Sequence, residues 1–104
     1  MSNYKLLYIT CGSKLEATKI SNELIKNDLV ACTNIFSNIN SIFKLKKKII
    51  KSKECILIGK TTKKNKNKII KLVEKIHSYE CPCIIFFNIE SGNHKFLQWI
   101  KKNT

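Results

Sequence analysis

The chain has 104 residues and 43% hydrophobic content, too apolar for a disordered segment and enough for one modest core. Its longest uninterrupted apolar run, Cys83 to Phe87, falls far short of the ~20 residues that span a bilayer. The formal net charge is +13 and every basic residue is Lys. The absence of Arg removes chemistry that needs a guanidinium fork on phosphate or guanine.

Leu6 to Ile9 is too short for a secretory core segment, and no small-residue cleavage site follows it. The expectation is therefore one domain over 1–104, cytoplasmic, with no membrane attachment. Two explanations of the Lys excess stand side by side. One is a polyanion-binding surface; the other is biased composition, since Lys, Asn and Ile are all over-used.

Tyr4 to Cys11 reads as a buried strand, punctuated by Gly12-Ser13. Ser13 with Glu16 three residues on forms a capping box. Ala17, Ile20, Leu24 and Ile25 then recur at helical spacing until Asn27-Asp28 stops the helix. Leu29 to Leu45 is extended, with a bulge or bend expected among the Asn and Ser residues of 37–41. Lys44 to Lys53 reads as a solvated basic hairpin, and Glu54 to Thr61 as the next strand. Thr62 is placed to cap a second helix whose apolar face holds Ile69, Leu72, Val73 and Ile76. A loop from His77 to Pro82 leads into an apolar strand, Cys83 to Ile89. A short last helix carries Phe96, Leu97, Trp99 and Ile100.

The order βαβ, βαβ, helix predicts an α+β, ferredoxin-like sandwich, a four-stranded antiparallel sheet with helices on one face. Near-continuous apolar strands predict that both sheet faces are covered, hence self-association.

The cysteines are Cys11, Cys32, Cys55, Cys81 and Cys83, an odd number that predicts reduced thiols. They are either small buried hydrophobes or donors for a soft metal such as copper(I) or zinc. Cys81-Pro82-Cys83 is C-x-C, which differs from the C-x-x-C of zinc ribbons. His94 reads as a surface residue at a helix start.

Four stretches carry a family resemblance: Leu29-Val-Ala-Cys-Thr-Asn-Ile35, Glu54-x-x-Leu-Ile-x-Lys-Thr61, His77-Ser-Tyr-Glu-Cys-Pro-x-Ile-Ile85 and Gly92-Asn-x-x-Phe-Leu-x-Trp-Ile100. In this order and spacing the chain resembles the CutA family of divalent-cation tolerance proteins. The resemblance implies a tight homotrimer with PII-like architecture, a long hairpin from the second and third strands, and a link to copper or another divalent cation. It implies no attached reaction and no organic cofactor. His77, Cys11 and Cys32 become candidate metal ligands, and Lys60, Tyr79, Glu80 and Trp99 candidate pocket or inter-subunit residues.

Three departures stand out. The family's aromatic, Trp and Gly around the hairpin are here Phe43, Leu45 and Lys47, so a rearranged tip is expected. The usual Pro-Glu is Pro82-Cys83. The strand cysteine of some bacterial members aligns with Ile9, two residues before Cys11 and on the same strand face.

A metal-tolerance protein is the leading reading. A PII-like small-ligand sensor and a basic polyanion-binding domain are the alternatives. Catalysis is disfavoured, because phosphate-cradling Arg, a G-x-x-x-x-G-K-[ST] loop and a spaced Ser/His/Asp set are all missing. Sequence-specific nucleic-acid binding is disfavoured too: the strand from Lys53 to Thr61 carries Cys, Ile and Leu where an RNA platform needs aromatics.

Overall fold

The structure, a computed structural model, describes residues 3–104. Alternation fixes the first strand, β1 (Tyr4–Cys11), in which Lys5, Leu7, Ile9 and Cys11 are buried on one side. Helix α1 (Lys14–Lys26) begins with a variant of the capping box, in which the Glu16 side chain reaches one residue beyond the Ser13 N-cap. The Ser13 hydroxyl accepts from the Glu16 backbone N–H at 3.1 Å, and the Glu16 carboxylate accepts from the Gly12 N–H at 3.2 Å. Asp28, with φ of 57°, turns the chain out of α1 towards β2 (Cys32–Leu45).

β2 and β3 (Lys48–Thr62) form one long antiparallel hairpin, so the strand expected from Glu54 begins six residues earlier. An extra residue in β2 between Phe36 and Ile39 makes a bulge, with Asn38 at φ of 60°, inside the stretch where one was expected. The tip is a two-residue turn in which Lys46 and Lys47 both take positive φ, 50° and 67°. This is the primed turn that matches strand twist, made here without glycine. The hairpin keeps its tight form instead of rearranging, at the cost of two Lys residues in the left-handed region.

Helix α2 (Lys66–Ile76) follows a single 3-10 turn, Lys63–Asn65. The expected cap at Thr62 is not made. Thr62 precedes the 3-10 turn, and its buried hydroxyl has no hydrogen-bond partner among the described residues. Asn65 ties the helix start instead, its Nδ2 reaching the Leu29 carbonyl at 3.3 Å. β4 (Ile84–Asn88) and α3 (His94–Lys102) complete the chain, and Ile100 seals α3 against the body.

The sheet order is β2-β3-β1-β4, with every neighbouring pair antiparallel. This is the ferredoxin-like order, with α1 and α2 on one face. The core lies between them: Leu7, Ile9 and Leu57 from the sheet pack with Ala17, Ile20, Leu24, Ile69 and Val73 from the helices. Thr61 belongs to the same side and donates its hydroxyl to the Leu29 carbonyl. The opposite face carries Phe36, Ile58, Tyr8, Ile85 and Phe87 by alternation. Phe36 and Phe87 are each half exposed there. The outer part of the hairpin leaves Ile42, Phe43, Leu45 and Ile49 exposed and draws the molecule out to 44 Å in a body about 25 Å across.

Candidate functional site

The loop 77–83 wraps around the C-terminal end of β1, and three side chains hold it there. The His77 ring lies buried beneath the loop. Its Nε2 meets the Thr10 carbonyl at 2.8 Å, and its Nδ1 accepts from the Tyr79 backbone N–H at 3.1 Å. These partners assign the neutral tautomer with the proton on Nε2, because a carbonyl only accepts and Nδ1 is receiving a hydrogen bond. The Glu16 carboxylate, already bonded to the start of α1, accepts from the Ser78 N–H at 2.7 Å and lies 3.8 Å from His77 Nδ1. Burial works to raise the Glu16 pKa. The hydrogen bonds from Ser78 and Gly12, with His77 nearby, outweigh burial and hold it below the usual 4.5. The Tyr79 hydroxyl donates to the Glu54 carboxylate at 2.6 Å. Burial, and then that carboxylate, push the phenol well above its ordinary value.

Glu54 sits on β3 one step past Cys55, on the face away from the helices, and is 8% exposed. The Tyr79 phenol is what lets a carboxylate lie there with little water. Between the loop and the sheet is an open cavity of about 380 Å³, lined by Thr10, Ser41, Ile42, Phe43, Glu54, Tyr79, Cys81 and Cys83. Cys81 is exposed and Cys83 half-buried. Burial, then Glu54 and Cys81, raise the Cys83 pKa, while hydrogen bonds from Thr10 pull against them.

The residues expected as metal ligands do not share this place. Cys11 faces the helices, directly across from Cys55, and is fully buried. Burial first, then Glu16, Cys55 and Glu54, push its thiol up to about 12, so it stays protonated near neutrality. Cys32 pairs in register with Lys60, five residues along β3 from Cys55, or about 17 Å at strand rise, and lies on the opposite face. His77 joins Cys11 at the same end of β1, but both ring nitrogens are engaged. Among the described residues, no group of three or more His, Cys, Asp or Glu side chains is arranged to hold a metal ion.

The pocket candidates also separate. Tyr79 lines the cavity and Glu80 is exposed on the same loop. Lys60 donates to the Asn34 side chain across β2 and β3. Trp99 lies elsewhere, on α3, stacked on Phe96 at 5.5 Å and partly exposed. His94 is exposed at the start of α3, as expected. Sequence reasoning passed over Glu16 and Glu54 as site residues. The capping-box signal identified Glu16 for its role in α1 alone, and nothing local marks Glu54 as the partner of Tyr79.

Residues 5–103 match the family model described as CutA1 divalent ion tolerance protein. A divalent-cation tolerance protein of Archaeoglobus fulgidus is 38% identical over 93% of this chain and 94% of its own length. A human relative is 30% identical, and the chain spans 54% of its length. Among solved structures, the divalent ion tolerance protein of Ehrlichia chaffeensis superposes with a TM-score of 0.92 at 39% identity, over 98% of this chain and 95% of that one.

Proposed function

The chain belongs to the CutA1 divalent ion tolerance family, and from that premise we propose that it works as a non-enzymatic homotrimer that binds copper or another divalent cation in the cytoplasm. The observation that carries the assembly is the sheet face opposite the helices. Phe36, Ile85 and Phe87 are each about half exposed on one surface, and the hairpin adds Phe43 and Leu45 on that face by alternation. A contiguous apolar area of that kind marks an interaction site. A second copy of the same sheet is the chemically matched cover, and the projecting hairpin supplies strand edges to pair.

A binding role, in place of a catalytic one, is supported by how the titratable groups are used. His77, Glu16, Tyr79 and Glu54 are satisfied by one another and by backbone, and they hold a loop still. Five free thiols fit a reducing compartment.

Native mass spectrometry of the reduced, untagged protein, with and without copper, tests the reading. The expected spectrum is a trimer with stoichiometric metal. A Phe36→Asp/Phe87→Asp variant should remain folded by circular dichroism and run as a monomer. A wild-type monomer would overturn the assembly, and a trimer with only a smear of adducts would overturn the metal-binding role.

A further inference from the structure

We propose that Cys81 and Cys83 form a site for a soft monovalent d10 cation, copper(I) in particular, held between two thiolates at the mouth of the loop cavity. The inference rests on the copper-binding part of the reading above, replaces its divalent ion with a monovalent one, and names the place.

The donor set selects the ion. The two cysteines are separated in sequence by Pro82 alone, and both residues line the same cavity. No third or fourth His, Cys, Asp or Glu side chain joins them in a metal-holding group among the described residues. Zinc in a protein takes four tetrahedral donors, and hard divalent cations take six or more oxygens. Soft thiolates favour copper(I), which is satisfied by two sulfurs in a near-linear arrangement. A pair with no further ligands therefore suits copper(I) and leaves the commoner divalent ions under-coordinated.

The surroundings favour a cation at this point. The chain carries a net charge of +13, yet the Glu54 carboxylate lies on the same cavity and the Tyr79 phenol is turned to it. The loop that presents the sulfurs is fixed on both sides. His77 and Glu16 anchor its start, and β4 begins one residue after Cys83. Pro82 restricts φ between the two cysteines, so less freedom is lost when both sulfurs engage one ion.

The other thiols do not compete on these terms. Cys11 and Cys55 face each other across β1 and β3, but both are buried beneath the helices. Cys32 has no thiol neighbour in the register. Binding at Cys81 and Cys83 releases two thiol protons to solvent and leaves copper as copper(I), so no electron is transferred.

The test is competition for copper(I) against the chromogenic chelator bicinchoninate, anaerobically and with ascorbate as reductant. Wild type should withdraw one equivalent per chain, and X-ray absorption at the copper edge should report two sulfur neighbours. Cys81→Ser/Cys83→Ser should lose that equivalent while keeping its far-UV circular dichroism, and Cys32→Ser should retain it. A double variant that competes as well as wild type overturns the site and leaves metal binding standing. A wild type that takes up zinc or copper(II) but no copper(I) overturns the ion class alone. Uptake of no ion at all overturns both the inference and the reading beneath it.

Discussion

On the helix side of the sheet, Leu7, Ile9 and Leu57 have no exposed surface; on the other side, Phe36, Ile85 and Phe87 keep about half of theirs. Both sides draw on the same vocabulary of β-branched, aliphatic and aromatic residues, because a strand that must be covered twice cannot alternate apolar with polar. The difference lies in what the chain itself supplies. Two amphipathic helices cover one face, and among the described residues no second layer covers the other. An apolar face without a layer of its own is where the proposed association would be seated.

The largest expected effect separates the two faces directly. Leu57→Ala removes a fully buried side chain from the centre of the core, and should cost about 2–5 kcal/mol in urea denaturation at any protein concentration. Phe87→Ala, on the open face, should cost a comparable amount only where copies associate, so its penalty should shrink as the protein is diluted. A Phe87→Ala penalty of less than ~0.5 kcal/mol at every concentration, the range of ordinary surface changes, would break the comparison.

Next comes a stretch where the open face is covered within the chain. Loop 77–83 lays Tyr79 over Glu54, and that hydrogen bond permits a carboxylate at 8% exposure. Tyr79→Phe keeps the ring and removes the donor. It should destabilise the protein by roughly 1–3 kcal/mol in urea denaturation, the cost of a buried acceptor left unsatisfied. Tyr79→Phe/Glu54→Gln should recover part of the loss, since a neutral amide tolerates the site better than an orphaned charge. No recovery in the double variant would place the effect in packing of the loop.

How much of this the sequence carries differs between the two faces for the same reason. Periodicity identifies the core because burial within the chain is a local, repeating constraint. Ala17, Ile20 and Leu24 could be read from spacing, as could the alternation of β1. The bulge near Asn38 was legible from its Asn and Ser residues. Thr62 was misread because capping competes with a 3-10 turn that depends on tertiary contacts of Asn65 with the end of α1. The loop site was legible only as a set of residue types. His77 looks like a ligand in sequence, and becomes an anchor only when the Thr10 carbonyl and the Tyr79 N–H are brought to its two nitrogens. Contacts between positions 16 and 78, or 54 and 79, have no period and leave no local signal.

A smaller effect is expected at the hairpin tip, beyond the reach of either layer. Lys46 and Lys47 both occupy the left-handed region that Asn and Gly fill at little cost. Lys46→Asn/Lys47→Gly should raise stability by about 1 kcal/mol in urea denaturation without changing the association state. A loss of stability would mean that the Lys pair makes contacts in the assembly that offset its backbone strain.

The smallest effect tests whether the helix side and the loop are coupled electrostatically through Glu16. Its carboxylate caps the start of α1 and holds Ser78, and its pKa is depressed in the folded protein. The unfolded chain then binds the proton more readily than the folded one, so stability rises with pH wherever Glu16 is titrating. The contribution is complete above the usual carboxylate value of 4.5 and is lost as pH falls through the lower folded value. Melting temperatures below pH 4.5 should therefore fall less steeply in Glu16→Gln than in wild type. Because the amide has one acceptor oxygen, it can hold Ser78 or Gly12 but not both, so at neutral pH Glu16→Gln should fall between wild type and Glu16→Ala. Parallel pH profiles would show that Glu16 positions the loop by geometry alone, and that its charge contributes nothing to joining the two sides.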